Sequence, residues 1–187
     1  MNERDVNMCS ECQDYGDCEI YEMMFIKCPF SQPEYLLEPG ITYLIKEKKP
    51  EFSFKVFSDW IRHGTRGLCI TRQHPKNFKT RSYWNDVEIY WLTTIEGKDN
   101  INPTNLGIIS EFISRFVNEY MNTVSILDGL ELLFTHNDFP SVLRMVNHVT
   151  EQVMQHNGKL IISIDERTLD PKELALLEKN IEILVSK

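Results

Sequence analysis

"TVSILD" at residues 123–128 and "KLIISID" at residues 159–165 decide how this chain is read. Each is apolar almost throughout, and each ends on an acid, Asp128 or Asp165. A strand with one face in water alternates apolar and polar residues. A continuous apolar run implies burial on both faces, the pattern of a parallel sheet covered by helices. Between the two runs lies "FPSVLRMVNHVTEQVMQHNG" (139–158), with Pro140 early and Gly158 late. Val142, Val146, Val149 and Val153 recur there at helical spacing, so the segment reads as a helix with one inner face.

The same alternation runs outward from this centre. Upstream, "ITYLI" (41–45) behind Gly40, "GLCIT" (67–71) and "VEIYWLTT" (87–94) are strand candidates, dense in β-branched or aromatic residues. "PEFSFKVFSDWIRHG" (50–64) has Pro50 at a helix start and Gly64 at its end, with Phe57, Trp60 and Ile61 on one face. "NPTNLGIISEFISRFVNEYM" (102–121) carries the stripe Leu106, Ile109, Ile113, Phe116 and Tyr120. "DPKELALLEKNIEILVS" (170–186) reads as a closing amphipathic helix, with Asp170 as N-cap, Pro171 first and Glu173 third. Strands alternating with helices demand right-handed crossovers. The expected fold is α/β in three layers: a mainly parallel sheet of about five strands with helices on both faces. Residues 38–187 form this domain. Residues 1–37 are a cysteine-rich head and a turn-prone linker, "PFSQPEYLLEPG" running into Gly40.

At 187 residues, with 42% hydrophobic and 11% aromatic content, one domain with a full core is expected. No apolar run approaches the roughly 20 residues that span a bilayer. The start, "MNERDVNMCSECQ", lacks the charged opening and apolar middle of a signal peptide. The expectation is a cytoplasmic protein with no membrane association. The net charge of −8 is unevenly spread: residues 1–45 balance to −7, residues 46–81 to +7, and the remainder to −8. The basic band at 46–81 is suited to nucleic acid or an acidic partner. Pairing with the acidic head of the same chain accounts for it better, and nucleic acid is not the expected partner.

Ligands of open α/β sheets sit beyond the carboxyl ends of the strands. Those ends carry Arg72, Thr93, Asp128 and Asp165, which define the candidate pocket. "VSILD" followed by "GLELL" has the form of a Walker B strand. Its partner would be the loop G-x-x-x-x-G-K-S/T after the first strand. The sequence there is "KEKKPEFS" (46–53), without glycine. A phosphate cradle needs inward-turned N–H groups at glycine-type dihedrals, and Pro50 removes one N–H outright. Lys48 and Lys49 could touch an anion, but no nucleotide is expected there. No G-x-S-x-G, H-E-x-x-H or G-x-G-x-x-G occurs, so no catalytic residue is assigned. His148 and His156 fit a solvated helix face better than a metal site, and Cys69 fits a small core residue. Capping of strand-to-helix turns accounts for Asp128 and Asp165 better than a paired-carboxylate site.

Four of the five cysteines lie within the first 28 residues: Cys9, Cys12, Cys18 and Cys28. The first pair can bite one metal from a tight turn, and the others can close a tetrahedral site. A head this short needs such a staple to fold. Zinc is the favoured metal; a 4Fe-4S cluster uses the same four ligands, and reactive thiols or disulfides are the remaining reading. The C-x2-C-x5-C run resembles the auxiliary-cluster segment of radical enzymes, and Cys28-Pro29 matches a closing cluster cysteine.

The order of landmarks across residues 38–187 resembles the archaeal family called domain of unknown function 835. Its markers here are Gly40 with "YLI", residues 67–72 with Pro75, Trp91-Leu92, Asp128-Gly129, and Asp165 with the closing leucine-rich helix. The resemblance implies a degenerate RecA-type fold without the phosphate loop, attached to signalling or sensory modules, and it supplies no catalytic residue. The expected function is a non-catalytic regulatory or scaffold protein that binds a protein partner and carries a four-cysteine metal site. The alternatives are an iron–sulfur redox sensor or electron-transfer protein, and a nucleic-acid-associated regulator. A homo-oligomer is compatible with the sequence; "EMMFI" (22–26) and the final helix could each be partner surface or core.

Overall fold

In the computed structural model, residues 33–78, 82–84 and 86–185 are described. The cysteine head with Cys9, Cys12, Cys18 and Cys28, and the expected metal staple, lie outside the described residues. The chain builds strand β1 (Ile41–Lys46), helix α1 (Glu51–Arg62), β2 (Arg66–Thr71), β3 (Glu88–Leu92) and β4 (Asn100–Ile101). Helix α2 (Leu106–Glu119), β5 (Thr123–Asp128), α3 (Leu130–His136), α4 (Phe139–Gln155), β6 (Lys159–Ile164), α5 (Pro171–Leu177) and β7 (Glu182–Ile183) follow. The strands form one sheet in the order β4-β3-β2-β5-β6-β1-β7, with every pair parallel.

Helices flank this sheet on both faces because its strands alternate between two cores. Leu44, Leu68, Ile70, Leu127, Leu160 and Ile162 pack with α2, α3, α4 and α5. Tyr43, Ile45, Cys69, Val124, Ile126 and Ile161 pack with α1. β5 and β6 are buried along their whole length, as their unbroken apolar sequences require. Val142, Val146, Val149 and Val153 are fully buried on the inner face of α4, and Cys69 is a core residue.

The expectation of about five strands is corrected to seven among the described residues. The two additions, β4 and β7, are two residues each and too short to carry a period. β7 also corrects the expected closing helix. Asp170 caps α5 with the reciprocal bonds to Glu173 expected of a capping box. The helix nevertheless stops at Leu177, because the tail turns extended to pair with β1; Leu184 N–H donates to Leu44 C=O at 3.0 Å. α2 begins at Leu106, capped by the Asn105 side chain, rather than at Asn102-Pro103. The stretch from Pro33, expected as linker, lies against α1 in its described part: Glu34 N–H donates to Asp59 Oδ2 at 2.6 Å, and Trp60 Nε1–H to Tyr35 C=O at 2.8 Å.

Gly67 opens the packing of α1 on β2. A Cβ there would lie 2.4 Å from Ile61 Cδ1 and 2.9 Å from Phe57 Cζ, both in the core. Gly67→Val is therefore expected to destabilise the fold by about 2 kcal/mol through overpacking. Urea denaturation checks this; an unchanged midpoint would contradict the packing described.

Candidate functional site

The strand order creates two places where neighbouring strands send their connections in opposite directions. β1 connects leftward to β2 while adjacent β6 connects rightward to β7. β2 connects leftward to β3 while adjacent β5 connects rightward to β6. At such switch points the crossovers part and leave a crevice beyond the carboxyl ends of the strands.

The first crevice, between β1 and β6, is filled from within. Glu47 follows β1, and its N–H continues the ladder to Ile164 C=O at 2.8 Å. Its carboxylate turns onto the N-terminus of α1. Oε2 accepts from Phe52 N–H at 2.8 Å, and Oε1 accepts from Ser53 N–H at 3.1 Å and from the Ser53 hydroxyl. The hydroxyl of Ser163 on β6 donates to the same Oε1 at 3.0 Å. Helix N-termini attract anions through their unpaired N–H groups and dipole. Here the chain supplies its own carboxylate to that terminus. Lys46 is held by Glu178 at 2.6 Å and Glu166 at 3.2 Å, and its ammonium is pushed up chiefly by the bond to Glu178. Lys48 and Lys49 are exposed at the rim.

The second crevice, between β2 and β5, holds Asp128, which is 1% exposed. Thr71 Oγ1–H donates to its Oδ2 at 2.6 Å, and Gln73 N–H donates in turn to Thr71 Oγ1 at 2.9 Å. Arg72 N–H meets Asp128 C=O at 3.2 Å, and Arg72 Nε stands 3.6 Å from Oδ1. Burial pushes the Asp128 carboxyl up to about 6; Thr71 and Arg72 oppose the rise, and the nearby Glu131 and Glu47 add to it. Beside this aspartate opens a cavity of about 600 Å³, walled by Arg72, Trp91, Thr93, Glu131 and Leu132 among others.

Of the four pocket residues expected from sequence, Arg72 and Thr93 line the cavity and Asp128 lies behind Arg72. Asp165 stands apart. Its carboxylate is paired with Arg167, which is the main reason it is drawn down to about 2. It also caps the short turn Glu166–Thr168. Its N–H donates to Glu131 Oε1 at 2.5 Å, so Glu131 bridges the ends of β5 and β6. Glu47, Ser53, Ser163 and Glu131 escaped the sequence reading. An acid just before a helix start was the available signal for Glu47; nothing local marks Ser163. Among the described residues no three His, Cys, Asp or Glu side chains converge to hold a metal, and no helix is long and apolar enough to cross a membrane.

Fold and site together define an all-parallel, doubly wound α/β domain in which a carboxylate of the chain itself, Glu47, caps the N-terminus of the helix after the first strand. The family model described as protein of unknown function (DUF835) matches residues 46–181, well over half of the chain, and the chain belongs to that family. No curated protein matches the sequence.

Proposed function

We propose that this chain is a non-catalytic regulatory or scaffold protein that binds a protein partner, with a metal-stapled head at residues 1–37 and a degenerate RecA-like domain at 38–187. One observation carries the reading: the Glu47 carboxylate occupies the N-terminus of α1, where a nucleotide-hydrolysing domain would hold phosphate. The glycine-free segment 46–53 supports the same conclusion. Partner binding is supported at the sheet edge. Ile183 and Val185 are 46% and 71% exposed beside β7, and the outer side of β7 pairs with no strand among the described residues. Exposed apolar side chains on an open strand edge are a common docking surface.

The head adds a metal centre at Cys9, Cys12, Cys18 and Cys28, with zinc as the favoured ion. An iron–sulfur redox sensor is the second reading, favoured by Cys28-Pro29. Metal analysis of the full chain purified without oxygen tests both. The expected result is a colourless protein with about one zinc per chain, lost when Cys12 and Cys18 are replaced by serine. A brown protein with iron and sulfide would replace the zinc reading with the redox one. Protein with neither metal would contradict both.

A further inference from the structure

We propose that β7 is a self-pairing edge: two copies of this chain join antiparallel along residues 182–185, about a two-fold axis at Leu184. The proposal rests on the reading that a protein partner docks at β7, and it names that partner as a second copy.

The backbone groups of β7 face two ways. Glu182 and Ile183 stand in register with Tyr43 and Leu44 of β1, and Leu184 N–H donates to Leu44 C=O at 3.0 Å. Along a strand the N–H and C=O of successive residues turn to opposite sides, so those of Glu182 and Leu184 serve β1. The groups of Ile183, and of Val185 next in the alternation, turn outward, where no strand of the described residues meets them. Free donors and acceptors along an edge are a template for another strand.

The opposite edge of the sheet is guarded, and β7 is not. There Asn100 N–H is taken by Gly97 C=O at 3.2 Å, and the Asn100 side-chain amide reaches Ile95 C=O at 3.0 Å. The open part of β3 beside it is lined by the charged residues Glu88, Lys98 and Asp99. Charges and occupied N–H groups discourage strand addition. β7 instead presents Ile183 and Val185, 46% and 71% exposed, with Glu182 as its single charge.

Charge and burial select the register. Centred on Glu182, an antiparallel pair would set two carboxylates opposite each other, which is unfavourable. Centred on Ile183, it would set Glu182 against Leu184, and Val185 against Ile181, which is already buried. Centred on Leu184, Ile183 of each copy faces Val185 of the other, so the exposed apolar side chains cover one another. The same register joins the outward N–H and C=O groups of Ile183 to those of Val185 in the second copy, and it keeps the two Glu182 carboxylates apart. A two-fold contact is closed, so assembly ends at a dimer. A strand pair this short buries less than about 1,200 Å², so the dimer exchanges with monomer.

Sedimentation equilibrium of the full chain with a thiol reductant present, from about 10 to about 500 µM, tests the proposal. The mean mass is expected to rise from one chain toward two. Val185→Pro removes an outward N–H, and Ile183→Lys sets a charge into the apolar seam. Each is expected to weaken self-association by about tenfold or more. Amide exchange in the parent gives a readout free of any substitution: the Ile183 and Val185 amides are expected to exchange more slowly at the higher concentration. A chain that stays monomeric throughout would overturn the proposal. So would a dimer that neither substitution weakens, or exchange at both amides that ignores concentration. Each of these results would remove the second copy as the partner and leave the wider partner-binding reading, which requires no self-association, standing.

Discussion

Replacing Glu47 by alanine is expected to cost about 3 kcal/mol of folding stability, the largest loss predicted for any half-exposed residue in this chain. The carboxylate accepts from two backbone N–H groups of α1 and from the hydroxyls of Ser53 and Ser163. Loss of a helix cap costs up to about 2 kcal/mol, and each buried donor left unpaired adds to that. Ser53 and Ser163 are both buried, so water cannot readily take the place of the lost oxygen. Glu47→Gln keeps the shape and one acceptor oxygen but loses the charge at the helix terminus, and is expected to cost about half as much. Urea denaturation at neutral pH measures both. Variants as stable as the parent would show that the carboxylate does not hold the β1–α1 turn.

Asp128→Asn is expected to do the reverse above neutral pH. In the folded protein Asp128 titrates near 6, against an ordinary value of 3.8. Its folded value is raised, so its favourable contribution is complete below 3.8 and is lost as pH rises through about 6. At pH 8 the buried charge thus costs about 3 kcal/mol relative to a neutral group. Asparagine removes that cost and can still accept from Thr71. The variant is expected to exceed the parent by about 2 kcal/mol at pH 8, once an imperfect bond to Thr71 is allowed for. The advantage should shrink between pH 6 and pH 4 as the parent takes up its proton. Denaturation midpoints across pH 4 to 8 check this, and parallel curves for the two proteins would contradict it. Glu47 contributes to the raised value, so Glu47→Gln should shift the parent's transition to lower pH.

What the sequence made legible follows the distance over which each feature is specified. The capping box at Asp170, Pro171 and Glu173 is written in four consecutive residues, and it forms. The valine stripe of α4 and the unbroken strands β5 and β6 are local periods, and they set the layers. β7 was hidden because its residues pair only through β1, more than 130 positions earlier, and that pairing overrides the helical pattern of the tail. The site behaves alike. Arg72 and Asp128 stand at strand ends and could be named from position alone. Their joining through Thr71, 57 residues from Asp128, could not. Glu47 cannot be named from local sequence because its partner Ser163 lies 116 residues away. The missing glycines of residues 46–53 are visible in the sequence; that the Glu47 carboxylate turns onto the start of α1 is a property of the fold.

Steady-state turnover of ATP and GTP by the metal-replete full chain, with magnesium present, is the most direct test of a non-catalytic α/β domain. No hydrolysis above the buffer background is expected, in the parent or in Asp128→Ala. Turnover that is measurable in the parent and abolished by Asp128→Ala would show that the crevice at β2 and β5 hydrolyses nucleotide, and would contradict the proposed non-catalytic role.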